Sequence, residues 1–90
     1  MRDLVRSGRF RKDLKRVQKR GKDMSKLRAA LSLLMEDQPL PPEYGDHPLR
    51  GEWKGWRDLH IGPDWLLIYR IEGDQVRLNC TGTHADIFEE

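Results

Sequence analysis

The residues best suited to chemistry in this sequence are its three histidines, His47, His60 and His84. Imidazole has an unperturbed pKa of about 6.5, so paired imidazoles can give and take protons near neutral pH. Spacing alone leaves three interpretations open: ordinary surface histidines, a three-histidine metal site, and an acid–base site. Metal sites usually show tighter ligand spacing, such as His-x-x-x-His, which the sequence lacks.

Two carboxylates accompany His60. Asp64 follows Pro63 in a predicted turn, where it could orient the imidazole or act as a base, although Asp is also common in turns for conformational reasons. Asp58 is predicted to share a strand face with His60, either as a second catalytic carboxylate or as a solvated strand residue.

Two aromatic residues lie beside these groups in the sequence. Trp65 follows Asp64, and Phe88 lies four residues after His84. Unstacked bases often rest on such rings, so both are candidates for placing a nucleotide. Packing in the core is the alternative for each of them.

The charge of the chain is strongly asymmetric. The net charge of +2 combines residues 1–28, with 12 Lys and Arg against three Asp (+9), and residues 29–90, with five basic and 12 acidic residues (−7). A solvated helix face is the usual explanation of such a run, but this density favours a polyanionic partner such as a nucleic acid.

Length and composition exclude several classes of protein. Ninety residues predict a single domain over 1–90, since domains usually have roughly 100–200 residues. Cys80 is the one cysteine, which excludes an internal disulfide and a cysteine-based zinc cluster. No segment resembles a secretory signal or a membrane span, so we expect a cytoplasmic protein. Hydrolase, P-loop and dinucleotide fingerprints are absent.

Two amphipathic helices are predicted in the basic region. Phe10, Leu14 and Val17 recur at helical spacing after a possible cap at Ser7, and Gly21 offers a helix stop. A second apolar face begins after Asp23 and ends near position 37. These helices would form a hairpin, followed by a proline-rich loop over residues 38–48 that cannot be helical.

From Trp53 onward the apolar period changes from helical to strand-like. Asp58 and His60 would face one side of a strand and Leu59 and Ile61 the other. A central strand over residues 65–71 and a turn at Gly73 follow, and residues 75–81 form a third strand. In that strand Val76, Leu78 and Cys80 are predicted to share one face, and a helical turn after Thr83 completes the chain.

The predicted fold is α+β with the order β-α-α-β-β-β, in which a helical hairpin covers one face of a small antiparallel sheet. Its first strand, around Leu4 and Val5, has the weakest signal. The uncovered face would carry a shallow polar cleft. Polyanion binding combined with histidine acid–base chemistry suits RNA, because the RNA 2′-OH is itself a nucleophile and no metal or other cofactor is needed.

Several motifs in the same order resemble the YafQ-type toxins of the RelE/ParE superfamily, which share the β-α-α-β-β-β fold. The resemblance runs through almost the whole chain. It is carried by 20-RGKDMSKL-27, 46-DHPL-49, 53-WKG-55, 63-PDWLLIY-69 and 81-TGTH-84, together with Leu40-Pro41, Arg57-Asp58, His60 and Phe88.

The resemblance implies an endoribonuclease that enters the ribosomal A site, cuts mRNA there, and is held inactive by a cognate antitoxin. The implied catalytic residues are His84, His60, His47 and Asp64. The substrate-binding candidates are Phe88, Trp65, Asp58, Arg57 and Lys54. The basic residues of the hairpin are expected to lie against ribosomal RNA; they are Arg11, Lys12, Lys15, Arg16, Lys19 and Arg20.

One position departs from the family pattern. Many relatives carry Arg directly before the Thr-Gly pair, where this chain has Cys80, and Arg57, Arg77 or Lys54 could supply the missing charge. Two other functions stay open at this level. They are a non-catalytic toxin of the same scaffold, as in relatives that bind DNA gyrase, or a simple RNA-binding module; a three-histidine metal hydrolase is a weaker possibility.

Overall fold

The computed structural model describes residues 1–88. The chain forms strands β1 (Asp3–Arg6), β2 (His47–Pro48), β3 (Arg57–Gly62), β4 (Trp65–Glu72) and β5 (Gln75–Gly82). Its helices are α1 (Gly8–Lys19), α2 (Met24–Met35) and α3 (His84–Phe88), and 3-10 turns lie at Pro42–Tyr44 and Gly51–Trp53. Within residues 1–88, no helix has the length and apolar character needed to cross a membrane.

Local signals determine where each of the two hairpin helices begins and where the turn between them lies. The Ser7 side chain accepts a hydrogen bond from the Phe10 N–H (2.9 Å), and Asp23 accepts one from the Ser25 N–H (3.0 Å), so each helix has its side-chain N-cap. Between them Gly21 has a φ of +79°, a left-handed conformation that costs glycine little. Both predicted helices are confirmed.

The five strands form one sheet in the order β1-β5-β4-β3-β2. Strands β2 to β5 pair antiparallel, whereas β1 pairs parallel with β5, so the sheet is mixed rather than wholly antiparallel as expected. The direction of β1 is not dictated by a hairpin turn, because some 70 residues separate it from its partner strand, from Asp3 to Gln75. The sequence therefore carries no local signal for this pairing.

An irregularity in β5 changes which residues share a face. Ile68 pairs with Cys80 and Tyr69 with Leu78, which leaves Asn79 as an extra residue in β5. Such a bulge reverses the alternation of side chains beyond it. Val76 and Leu78 consequently pack beneath the hairpin, while Cys80 joins the cluster on the opposite face, and the prediction that all three share a face is wrong.

The main core lies between the hairpin and the sheet. Phe10 and Leu27 from the helices pack there against Leu59, Leu67 and other apolar side chains of the strands. A smaller cluster on the other face joins Leu66, Ile68, Cys80 and Ile87, and it is covered by α3 and by apolar side chains of residues 49–56. This second face holds the candidate site.

Candidate active site

The candidate site begins with the alternation of side chains along β3. Leu59 and Ile61 are buried in the main core, so Asp58 and His60 project from the opposite face of the sheet. His47 stands beside them because β2 pairs antiparallel with β3 and places His47 opposite Asp58. Two strands thus bring two histidines and one carboxylate together.

Asp58 lies between these two imidazoles. Its Oδ2 atom is 3.6 Å from His60 Nε2 and 3.7 Å from His47 Nε2, close enough for ionic attraction but too long for good hydrogen bonds. Asp58 is 4% exposed as a residue, and its Oδ1 atom is buried with no hydrogen-bond partner among residues 1–88. Burial raises the pKa of Asp58, and the neighbouring histidines, when charged, oppose that shift.

Gly45 packs closely against both His47 and His60. The His47 Nδ1–H donates to the Gly45 carbonyl oxygen (2.8 Å), since a carbonyl can only accept, and His47 Nε2 then faces Asp58. Gly45 has a φ of +55°, and a Cβ there would lie 3.2 Å from His60 Nδ1. This position therefore favours glycine both for its turn and for the space it leaves to His60.

His84 and Asp64 form a second, exposed pair. His84 Nδ1 is 2.7 Å from Asp64 Oδ1, and the His84 backbone N–H donates to the same oxygen (3.0 Å). These hydrogen bonds lower the pKa of Asp64 and keep it ionised at neutral pH. Asp64 holds a φ of +47° in the β3–β4 turn, a conformation that Asp tolerates better than most residues. The geometry suits an orienting carboxylate.

The two groups belong to one continuous row of rings. Centroids are 6.0 Å apart from His47 to His60, 6.4 Å from His60 to His84, and 6.3 Å from His84 to Phe88. Trp53 extends the row, with its ring 5.6 Å from Phe88. The sequence reasoning missed Trp53 as a neighbour of the site, although the 53-WKG-55 motif offered a signal.

Trp65 lies away from this row. It is 2% exposed in the main core, and its indole N–H donates to Thr81 Oγ1 (3.0 Å), which in turn donates to the Leu66 carbonyl (2.6 Å). A ring buried in this way cannot stack on a nucleotide. The prediction that Trp65 contacts substrate is corrected, and its place is structural.

The Arg57 side chain also lies away from the histidines, on the other face of the sheet. It pairs with Tyr69 in the register of β3 and β4, and its guanidinium donates to both carboxylate oxygens of Asp46, which also accepts from the Tyr69 hydroxyl (2.6 Å). Alternation in β3 sends Arg57 to the side opposite Asp58. Its predicted contact with substrate is therefore corrected.

Two of the three cations expected to replace the charge missing at Cys80 are engaged elsewhere. Cys80 is fully buried in the smaller cluster, and burial raises its thiol pKa to about 12. Arg77 is bound to Glu72, which also pairs with Arg70. Of the three residues expected to compensate, Lys54 is exposed and makes no ion pair within residues 1–88, and its role stays a prediction.

The six basic residues expected to contact ribosomal RNA divide into two sets. Arg16 pairs with Asp13 (2.7 Å), and the residue that follows α1, Arg20, pairs with Asp86 (2.6 Å), so both side chains are engaged within the protein rather than free for RNA. The others point into solvent with no ion pair among the described residues. They are Arg11, Lys12, Lys15 and Lys19.

A cation could also be held in this site. One nitrogen each of His47 and His60 and one oxygen of Asp58 lie within 4.8 Å of one another. Imidazole and carboxylate are ordinary ligands of zinc and copper. This ligand set differs from the three-histidine set considered above, because Asp58 takes the place of His84.

Comparison of the sequence with models of known protein families identifies the family of this chain. The model for YafQ, the bacterial toxin of a type II toxin–antitoxin system, matches residues 2–89. The chain belongs to the YafQ family. The observed α+β architecture is that of the family's solved structures, and the predicted fold class is confirmed.

Three comparisons show the extent of similarity. The Escherichia coli K12 mRNA interferase toxin YafQ is 51% identical over 88 residues, covering 97% of this chain and 96% of that protein. YafQ in the E. coli DinJ–YafQ toxin–antitoxin complex superposes with a TM-score of 0.89 at 51% identity, covering 97% of both chains. A metal-bound toxin from Helicobacter pylori gives 0.91 at 39%, covering 98% and 100%.

Proposed function

We propose that this protein is an endoribonuclease toxin of the mRNA interferase class, which cuts mRNA in the ribosomal A site through acid–base catalysis. Its membership in the YafQ family and the description of its 51% identical relatives as mRNA interferases support the enzyme class. The observation that carries the mechanism is the convergence of His47, His60 and His84 with Asp64 on one face of the sheet.

The proposed reaction uses the substrate's own nucleophile. A base removes the proton from the 2′-OH, the O2′–P bond forms as the P–O5′ bond breaks, and an acid protonates the departing 5′-oxygen. Three imidazoles in one row can supply both proton transfers. Asp64 orients His84 by accepting hydrogen bonds from it: the His84 Nδ1 atom and the His84 backbone N–H both contact Asp64 Oδ1. Phe88, the next ring in the row, offers a surface on which a nucleobase can stack.

The proposed dependence on the ribosome is supported by the scarcity of free positive charge beside the histidines within residues 1–88. Two of the candidate cations, Arg57 and Arg77, are engaged by Asp46 and Glu72. Cleavage also needs positive charge to stabilise the phosphorane. We infer that the ribosome supplies part of the orientation and charge, and that free RNA is a poor substrate.

The outward basic residues of α1 are proposed to contact ribosomal RNA. Replacing Lys15 by Gln should weaken ribosome binding a few-fold and lower the slope of log K against log salt by about one, because each phosphate contact releases counterion. Ser32→Ala, at an exposed α2 position without charge, is the control. An unchanged slope would indicate that this face of α1 is simply solvated and does not contact ribosomal RNA.

Neutralisation by an antitoxin is part of the same proposal. The E. coli relative is described in a complex with the antitoxin DinJ, and this chain is proposed to bind a cognate antitoxin of its own in the cytoplasm. Co-expression of the two proteins should restore growth that the toxin alone arrests.

The decisive experiment is primer extension on mRNA recovered from cells expressing the wild type, His84→Ala, or the exposed control Ala85→Ser. We expect cleavage within codons for the wild type and the control and none for His84→Ala. Persistent toxicity of His84→Ala with intact mRNA would instead favour a non-catalytic toxin, such as one that binds gyrase.

A reconstituted ribosome assay then separates the mechanisms. A 2′-deoxy substitution on the 5′ side of the cut should abolish cleavage, and cleavage of that substrate would contradict the proposal. Chelation distinguishes acid–base catalysis from metal-assisted hydrolysis, which the His47–Asp58–His60 ligand set and the metal-bound H. pylori relative make a second candidate. The toxin is therefore stripped of metal with EDTA and freed of the chelator before it meets the Mg²⁺-dependent ribosomes, and activity that survives this treatment without loss favours the acid–base route.

A further inference from the structure

The helix α3, which carries His84 and Phe88, is too short to be stable alone. It has five residues, His84–Phe88, whereas isolated helices below about 12 residues are marginal in water. Its position must therefore come from tertiary contacts. Ile87, buried in the smaller cluster, and Phe88, packed against that cluster and Trp53, supply apolar contacts, and a set of polar contacts adds to them.

Asp86 is the centre of the polar contacts. Its carboxylate accepts two hydrogen bonds from Arg20, at 2.6 and 3.2 Å, in a bidentate pair, and it also accepts the Thr83 backbone N–H (3.0 Å). The Asp86 N–H donates in turn to Thr83 Oγ1 (3.0 Å), which completes a reciprocal cap at the start of α3. Arg20 thereby ties the end of α1 to the first turn of α3.

Gly82 makes room for this arrangement. Its φ is +153°, and a Cβ at this position would lie 2.7 Å from Asp86 Oδ2. Any larger residue would push the carboxylate away from Arg20. Arg9, near the start of α1, also donates to the Asp86 and Ile87 carbonyl oxygens, at 3.2 and 3.4 Å.

We infer that Arg20 and Asp86 are positioning residues of the proposed ribonuclease site, because their ion pair, called the Arg20–Asp86 clamp below, fixes α3 and with it the His84 imidazole against Asp64. This inference rests on the proposed function for its kinetic consequences. It gives Arg20 a different role from the expected contact with ribosomal RNA. The Arg20 contact also lowers the pKa of Asp86, so the pair stays charged throughout the neutral range.

The test compares Arg20→Gln and Asp86→Asn with Lys22→Gln, which removes the same charge as Arg20→Gln two residues away. Lys22 makes no ion pair within residues 1–88. In the ribosome assay, both clamp variants should lose about 10- to 100-fold in kcat with little change in KM, since displacing a catalytic group by about an ångström has this cost. Lys22→Gln should retain kcat, and Arg20→Lys should recover part of it.

The RNA-contact hypothesis for Arg20 predicts a different pattern. Arg20→Gln would then raise KM, and Asp86→Asn would leave activity unchanged or improve it by freeing the guanidinium. A double-mutant cycle adds a second criterion. If the two residues act through one ion pair, the double variant should lose no more than about the larger single loss. Fully additive losses, or a loss confined to KM, would overturn the inference.

Hydrogen exchange gives a readout that does not depend on ribonuclease activity. The Ile87 N–H donates to the Thr83 carbonyl (3.1 Å) and reports on the integrity of α3. In both clamp variants it should exchange at least tenfold faster, while amides of β4 keep their wild-type rates. Unchanged exchange at Ile87 would contradict the inference. If wild-type protein failed to cut mRNA, the proposed function would fail while this measurement still tested the clamp.

Discussion

The two faces of the sheet are built differently. The face against α1 and α2 is filled by apolar side chains from β1, β3, β4 and β5, and Trp65 on this side has its indole N–H bonded. The opposite face has a small apolar cluster and, beside it, the buried Asp58, whose Oδ1 atom has no hydrogen-bond partner in the described part of the chain. Burying such a carboxylate is unfavourable unless other groups compensate. Stability is thus concentrated on one face and reactive groups on the other.

The largest expected effect tests the reactive face. His60→Ala should reduce cleavage by about 10²- to 10⁴-fold, the usual contribution of a general acid or base. Because the side chain is partly exposed but faces the buried Asp58 carboxylate, the free energy of unfolding should change by no more than about 1 kcal/mol. Single-turnover cleavage on programmed ribosomes and urea denaturation measure the two quantities. A large loss of stability would break the division between the faces.

The converse test is Leu67→Ala, on the face of the sheet that packs against α1 and α2. Leu67 is fully buried in the main core, so its truncation should lower the free energy of unfolding by about 2–5 kcal/mol. Activity per folded molecule should remain at the wild-type level under conditions where the protein stays folded. A matching loss of kcat in folded protein would show that the two faces are coupled.

Trp65→Phe sharpens the same comparison at a smaller scale. It removes the indole N–H that bonds Thr81 while keeping an aromatic ring in the core. We expect a loss of about 1 kcal/mol in unfolding free energy and unchanged cleavage by folded protein. A selective rise in KM would restore the discarded role of Trp65 in substrate binding.

The smallest predicted effect concerns the dependence of stability on pH. The pKa of Asp86 is lowered below its ordinary value of 3.8, so its ionised form stabilises the fold above that value. This contribution declines as the pH falls below 3.8, because the carboxylate is then protonated in the unfolded chain before it is protonated in the folded protein. Asp86→Asn should therefore be less stable than wild type by about 1 kcal/mol at pH 7, with a smaller difference at pH 3. Urea denaturation at both pH values measures this, and a difference that grows at pH 3 would contradict the assignment.

Much of the fold followed from local patterns in the sequence. The apolar period, the caps at Ser7 and Asp23 and the turn at Gly73 predicted the helices and the main strands. The parallel pairing of β1 and the bulge at Asn79 were not predictable in this way. Both depend on how distant strands align, and neither leaves a mark in the spacing of neighbouring residues.

The site was predicted unevenly for a similar reason. Alternation in β3 correctly placed Asp58 and His60 on one face, whereas the neighbours of Trp65 and Arg57 come from distant segments. Residue type suggested that these two side chains would face the substrate. Their actual surroundings depend on Thr81 and Asp46, which no sequence period connects to them.

The buried position of Cys80 has a practical consequence. Thiols react with alkylating reagents as thiolates, and this one is both inaccessible and protonated at neutral pH, with a pKa of about 12. In folded protein it should resist iodoacetamide and intermolecular crosslinking, even without a reductant. Opening of β5 would expose it. The rate at which iodoacetamide labels Cys80 therefore reports on unfolding, and no cysteine has to be introduced for the measurement.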